Sequence, residues 1–166
     1  MSRGAAAAID VADDRDAVGE TEAVLRRDLA AVYRLLAHFR MTDLIFTHVS
    51  ARLPGQTPRF LINPYGLLFD EITASSLVEV DPSGLPVATT DLASSVNPAG
   101  FVIHSAIHEN RPDAHCVLHT HTRAGCAVAA QAGGLLPISQ MSLELYGRVG
   151  YHEYEGIALS LGERER

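Results

Sequence analysis

The sequence predicts an α/β domain in which helices cover a β-sheet. Apolar residues recur at helical spacing over residues 20–40, and the period then drops to two over residues 45–53. From there, strand-like and helix-like segments alternate to about residue 132. Of 166 residues, 47% are hydrophobic and 20% charged, which is ordinary globular usage. A chain of this length buries roughly two thirds of the surface it would expose unfolded, so one domain is expected.

Residues 1–19 are rich in Ala, Asp and Gly without apolar periodicity, and read as a disordered acidic tail ahead of a domain spanning 20–166. The first helix places Leu25, Leu29, Val32, Leu36 and Phe39 on one side. Glu20 and Glu22 near its start and Arg34, His38 and Arg40 near its end complement the helix dipole. In the strand at 45–53, Ile45, Thr47, Val49, Ala51 and Leu53 point one way. Phe46, His48, Ser50 and Arg52 point the other way, giving that strand a polar face. Residues 59–63 form a second strand that ends in the turn Pro64-Tyr65-Gly66. Residues 77–80 and 85–88, joined by Asp81-Pro82-Ser83-Gly84, read as a hairpin. Asn97 caps a helix with Pro98 in its first position, and Pro112 stops that helix near Asn110. Residues 116–121 form a strand, and residues 124–132 a small-residue helix closed by Gly133-Gly134. The last residues, 162–166, look like a helix beginning, so the domain is expected to be truncated at its C-terminus.

Composition removes several functions. Thirteen Lys and Arg against twenty Asp and Glu leave a net charge of −7 with no basic stripe, so nucleic acid is excluded as a partner. The longest apolar runs, 5–9 and 124–130, fall far short of the ~20 residues that span a bilayer. No membrane role follows, and without the basic head and apolar centre of a signal peptide the expected location is cytoplasmic. Cys116 and Cys126 lack the number and spacing of a disulfide framework or zinc ribbon, and are expected to be reduced, mostly buried thiols.

The residues with chemistry are histidines. His119 and His121 lie two apart on the predicted strand, which puts both imidazoles on one face, roughly 6.5 Å apart at the backbone. They can grip one metal ion or serve as ordinary hydrogen-bonded strand residues. Neutral imidazole suits zinc, iron or nickel, and a catalytic zinc normally takes three protein ligands. His104 and His108 sit four apart on the preceding helix with no third ligand nearby, and are expected to serve packing and solvent contact. His48 shares its strand face with Ser50 and Arg52, and either points into a cleft or plays a structural part. His152, in Tyr151-His152-Glu153-Tyr154-Glu155, fits a surface loop.

Seven segments together resemble the class II aldolase/adducin family, closest to its adducin-like branch and bacterial members. They are Thr47-His48-Val49-Ser50-Ala51-Arg52, Gly66-Leu67-Leu68-Phe69, Ile72-Thr73-Ala74-Ser75-Ser76-Leu77, Asn97-Pro98-Ala99-Gly100-Phe101, His104-Ser105-Ala106-Ile107, Arg111-Pro112-Asp113 and His119-Thr120-His121. The resemblance covers about residues 22–160, and the order of the segments is more specific than any one of them. It implies a three-layer α/β/α fold around a largely antiparallel sheet. It also implies a homo-oligomer, often a four-fold tetramer with active sites between subunits.

In the family's sugar-phosphate aldolases, two histidines of a His-x-His strand and a later third histidine hold zinc, and a glutamate moves the proton. His119 and His121 match the strand ligands. The glutamate position is matched by Gly100, and an asparagine of the phosphate loop by His48, so sugar phosphates are not the expected substrates. A third ligand is expected beyond Arg166. The resemblance therefore implies a metal-dependent carbon–carbon lyase acting on a small non-phosphorylated carbonyl or hydroxy acid. Zn2+ is the first choice of metal, with Fe2+ or Mn2+ as alternatives. His48 becomes the replacement acid–base group, and Ser50, Arg52, Tyr65 and Gly66 the candidate substrate-binding residues. A non-catalytic adducin-like scaffold and an iron-dependent oxygenase are the competing expectations.

Overall fold

The computed structural model describes residues 22–55, 59–81, 83, 96–153, 156–157 and 162. The expected tail, the second hairpin strand at 85–88 and the helix start after Gly162 lie outside the described residues. Helix α1 is Glu22–His38, closely as its apolar stripe predicts. The four strands are β1 (His48–Arg52), β2 (Phe60–Ile62), β3 (Val78–Val80) and β4 (Cys116–His119), and helix α2, Pro98–Asn110, lies between β3 and β4 in sequence. Short helices α3 (Arg123–Ala129) and α4 (Gln140–Glu144) follow. The sheet has the order β3-β2-β1-β4, and each neighbouring pair is antiparallel.

Period two gives the sheet two chemically different faces. Val49, Ala51 and Leu61 share one core with Leu29, Tyr33 and Leu36 of α1. Phe60, Ile62 and Val80 share a second core with Phe101 and Val102 of α2. Helices therefore cover both faces, and the α/β/α layering follows from which side each strand residue points. The register sets Ser50 opposite Ile62 and His48 opposite His119, so the polar residues of β1 lie on the α2 side. His48 and Ser50 are buried there.

Tyr33 ties α1 to the sheet. Its ring packs edge-on against Phe69, with centroids 4.6 Å apart. Its hydroxyl donates to the Val49 carbonyl and lies 2.8 Å from Asn63 Oδ1. The same oxygen accepts from the backbone N–H groups of Val49 at 2.8 Å and Asn63 at 3.2 Å. Burial pushes the phenol pKa up, since a phenolate there would lose its solvent.

Some sequence expectations need correction. Strand β1 begins at His48 rather than 45, because Leu44 has φ +50° and Phe46 closes a turn onto the Asp43 carbonyl. Strand β4 ends at His119, and Thr122 already caps α3 through Gly125 N–H, so His121 stands in the connection rather than on the strand. Cys116 and Cys126 are exposed, not buried. Cys116 pairs with Ala51 on the α1 side of the outermost strand, where Leu118 is also exposed. Helix α4, nucleated by reciprocal bonds between Ser139 and Ser142, has too few residues for a periodicity signal. Among the described residues no helix is long and apolar enough to cross a membrane.

Tyr33→Phe keeps the packing and strips partners from two buried backbone N–H groups. A loss of roughly 1–3 kcal/mol in urea unfolding free energy is expected, with little change in the native circular dichroism spectrum.

Candidate functional site

The site forms where α2 crosses the polar face of β1. Asn97 starts the helix by accepting from Ala99 N–H at 3.1 Å, and the proline after it needs no N–H partner. From that start Gly100, His104 and His108 fall four apart and are all buried, forming one stripe against the sheet. Gly100 lets the helix come close. A β-carbon on it would lie 2.7 Å from Cδ2 and 2.8 Å from Nε2 of His48, closer than real side chains approach.

That approach joins five histidines and one serine in a single chain of contacts. His121 Nδ1 lies 2.8 Å from an Asp43 carboxylate oxygen, and its Nε2 lies 3.2 Å from Nε2 of His119. His119 Nδ1 is 3.2 Å from His48 Nε2, and His48 Nδ1 is 2.8 Å from His104 Nε2. His104 Nδ1 is 2.6 Å from Ser50 Oγ, which is also 2.7 Å from His108 Nε2. The far nitrogen of His108, Nδ1, is buried without a hydrogen-bond partner among the described residues.

Burial favours the uncharged form of four of these rings. His104 is pushed down to about 2, first by burial and then by His48, His108 and His119. His48 falls to about 4 through burial, helped by His119 and His121. His108 falls to about 4 through burial and the Arg52 guanidinium, with the Ala114 backbone opposing. His119 is also lowered, by burial and by His121. These rings are neutral near pH 7, the form in which imidazole binds metal.

The residues fit a metal ion through two of these rings. Two nitrogens held by one tetrahedral ion at about 2.0–2.1 Å stand roughly 3.3 Å apart, and the facing Nε2 atoms of His119 and His121 are 3.2 Å apart. Asp43 holds Nδ1 of His121, which directs the other nitrogen's lone pair toward His119, the arrangement that orients metal-binding histidines. Among the described residues no group of three His, Cys, Asp or Glu side chains converges on one ion position.

The remaining sequence candidates are dispersed. Arg52 donates to the carbonyl of His108 and, at 3.3 Å, to that of Arg111, so its charge sits at the C-terminal end of α2 where the helix dipole is negative. Gly66 takes φ +104° in its turn, a conformation that favours glycine, and Tyr65 beside it is exposed. Among the described residues no hydrogen bond or ring contact joins Tyr65 or Gly66 to the histidines. His152 is exposed, as expected of a surface loop. Reading the sequence alone missed the burial of His104 and His108 and the part of Asp43. The spacing of positions 100, 104 and 108 was the available signal, since it sets two imidazoles behind a glycine on one helical stripe.

Comparison with known proteins agrees with this architecture. Residues 27–165 match the model of the class II aldolase and adducin N-terminal domain. An aldolase II superfamily protein from Pseudomonas syringae superposes with a TM-score of 0.83 at 59% identity, over 92% of this chain and 61% of that one. An L-fuculose 1-phosphate aldolase from Glaciozyma antarctica gives 0.70 at 33% identity, over 76% of this chain and 51% of that one. Alpha-adducin from Rattus norvegicus is 47% identical over 151 residues, 91% of this chain but 20% of its own length. The chain spans 57% and 59% of two bacterial relatives that it matches at 56% identity.

Two outcomes are expected from this geometry. Gly100→Ala should destabilise the protein by about 1–3 kcal/mol through the clash with His48. The penalty should largely vanish in a His48→Ala background, so simple additivity in this double-mutant cycle would count against the clash. The second outcome concerns pH. His104 and His108 have folded pKa values below the unfolded value near 6.5, so the unfolded chain binds more protons between the two and stability falls with pH in that window. Unfolding free energy of metal-free protein should drop by about 1.4 kcal/mol per pH unit for each of these histidines between pH 6 and pH 5. In His108→Gln the slope should decrease by one histidine's share.

Proposed function

Because the chain belongs to the class II aldolase and adducin family, we propose that it carries the metal-binding half of a carbon–carbon lyase. Its substrate would be a small carbonyl compound or hydroxy acid without phosphate at the family's usual place. The observation that carries this reading is the pair of facing Nε2 atoms on His119 and His121, with Asp43 orienting the second ring. Zn2+ suits two imidazoles best, with Fe2+ or Mn2+ as alternatives. A divalent ion bound there supplies Lewis-acid polarisation of a carbonyl.

His48 is the proposed proton carrier. Its ring fills the space in which a side chain at position 100 would grow, which supports reading the imidazole as a substitute for the carboxylate that the family resemblance expects at that position. One of its nitrogens faces His119 and the other is backed by His104, so a proton taken at Nε2 has an outlet at Nδ1. Ser50 and Arg52 act on a substrate only indirectly, Ser50 by bridging His104 and His108, and Arg52 by fixing the end of α2. Tyr65 and Gly66 remain the proposed substrate loop. The third metal ligand would come from outside the described residues.

A homo-oligomer is part of this proposal. Ile138, Met141 and Tyr146 are 83%, 74% and 70% exposed, and closed assemblies bury such groups. A second reading, a scaffold without chemistry, is favoured by glycine at position 100 together with the alpha-adducin identity.

Metal analysis separates the two readings. The full-length wild type should hold about one divalent ion per subunit, and His119→Ala and His121→Ala should lose it. Asp43→Asn should weaken binding by roughly 10- to 100-fold. A wild type that takes up no metal would end the lyase reading and leave the scaffold.

A further inference from the structure

The side of α2 turned away from the sheet carries a pattern of its own. In thirteen residues the helix has one charged side chain, Glu109, and both of its histidines are buried. Helix α1, on the other face of the sheet, exposes Arg27, Asp28 and Arg34. A surface helix carries charged or polar residues on its outer side, so an apolar outer side marks a helix that something else covers. At about 3.6 residues per turn, Ala99, Ile103, Ala106 and Asn110 fall on one line opposite the buried residues of α2. Ile103 is 41% exposed and Asn110 is exposed, while Ala99 and Ala106 are half-buried. Their spacing of four, three and four is that of a seam along which two helices pack.

We propose that α2 packs against α2 of a second copy of this chain, antiparallel about a two-fold axis that passes between the levels of Ile103 and Ala106. This rests on the homo-oligomer reading above and names one surface of it. The seam is complementary to its own reverse. Laid antiparallel, Ile103 meets Ala106 and Ala99 meets Asn110, so each larger side chain faces an alanine. Laid parallel, Ile103 would meet its own copy and hold the two alanine levels apart. A closed two-fold contact requires this kind of self-complementarity.

Charge points to the same partner and the same direction. Each chain has a formal charge of −7, so two copies repel in general and meet best where neither presents charge. The seam is such a place. Glu109 lies on its flank, and in the antiparallel pair the two Glu109 positions stand about 14 Å apart along the axis, beyond a Debye length of about 8 Å. A parallel pair would set them side by side. Gly100, His104 and His108 are buried on the sheet side of each helix, so the contact covers α2 without entering the site.

The test uses the full-length protein with its cysteines, Cys116 and Cys126 included, changed to serine. Ala99→Cys and Asn110→Cys introduced together should link two subunits under mild oxidation. Within one helix these positions are about 16 Å apart, beyond the roughly 7 Å that a disulfide spans, so the link can form only between copies. Either substitution alone should give no dimer, because like positions lie at opposite ends of the pair. A linked dimer from Ala99→Cys alone would overturn the antiparallel pairing, and no link in the double variant would overturn the interface. Sedimentation equilibrium gives a second reading. Ile103→Arg enters a two-fold contact twice, and the dissociation constant should rise by roughly 100-fold or more. A wild type that sediments as a monomer would overturn the homo-oligomer reading and this contact together. An oligomer that Ile103→Arg leaves intact would overturn the α2 contact alone. So would a variant that loses stability at unchanged subunit number, the result expected if the same subunit covers α2. The cysteine pair decides the matter even if the arginine variant fails to fold.

Discussion

The contact of the His48 ring with the backbone of Gly100 sets everything else in the α2 layer. A β-carbon at position 100 would stand inside the van der Waals envelope of the imidazole, so a helix bearing any other residue there would have to ride further from the sheet. At the observed separation His104 and His108, one and two turns along, fall within hydrogen-bond reach of His48 and Ser50. An added fraction of an ångström would stretch bonds of 2.6–2.8 Å toward lengths at which their strength falls steeply. His48 and Gly100, the positions at which the family resemblance expects an asparagine and a glutamate, thus lie against each other, the ring of one filling the room that a side chain on the other would take.

The two faces of the sheet solve opposite problems. On the α1 side the core is apolar, and the buried Tyr33 hydroxyl is saturated by backbone groups of β1 and by Asn63. On the α2 side, next to Phe60 and Phe101, the sheet buries imidazoles. Unpaired, each would bring a desolvation penalty of roughly 1–3 kcal/mol. Joined end to end, His48 and His104 use both ring nitrogens and His108 uses one, an arrangement that tolerates burial as long as no member is removed.

The fold was largely legible because its boundaries are written in local chemistry. Asn97-Pro98 at one end of α2 and Pro112 beyond the other fixed that helix, and alternation fixed which residues of β1 share a face. What covers each face was not legible. Ser50 and His108 are 58 residues apart in sequence, and nothing local to either says that they share a hydrogen bond. His104 and His108 therefore looked like surface or packing residues, although their spacing from Gly100 held the clue. The cysteines went the other way. Small apolar character argues for burial, but Cys116 lies on the outermost strand on the side that leaves Leu118 exposed, and position in the sheet overrides composition.

That same position explains why the site is closed on one flank and open on the other. Strand β4 pairs with β1 along one edge, and its other edge has no strand among the described residues. His119 sits on this outer strand and His121 in the connection beyond it, so the two proposed ligands stand at the rim of the sheet while the chain of histidine contacts runs back toward its centre. The inner side of each ligand is already taken, by His48 behind His119 and by Asp43 behind His121. On the proposed lyase reading, a further ligand and a substrate would approach from the rim. An unpaired strand edge is a natural place for added backbone to join. The completing group is expected from further chain or a second copy laid along β4, because α2 and β1 already fill the interior side.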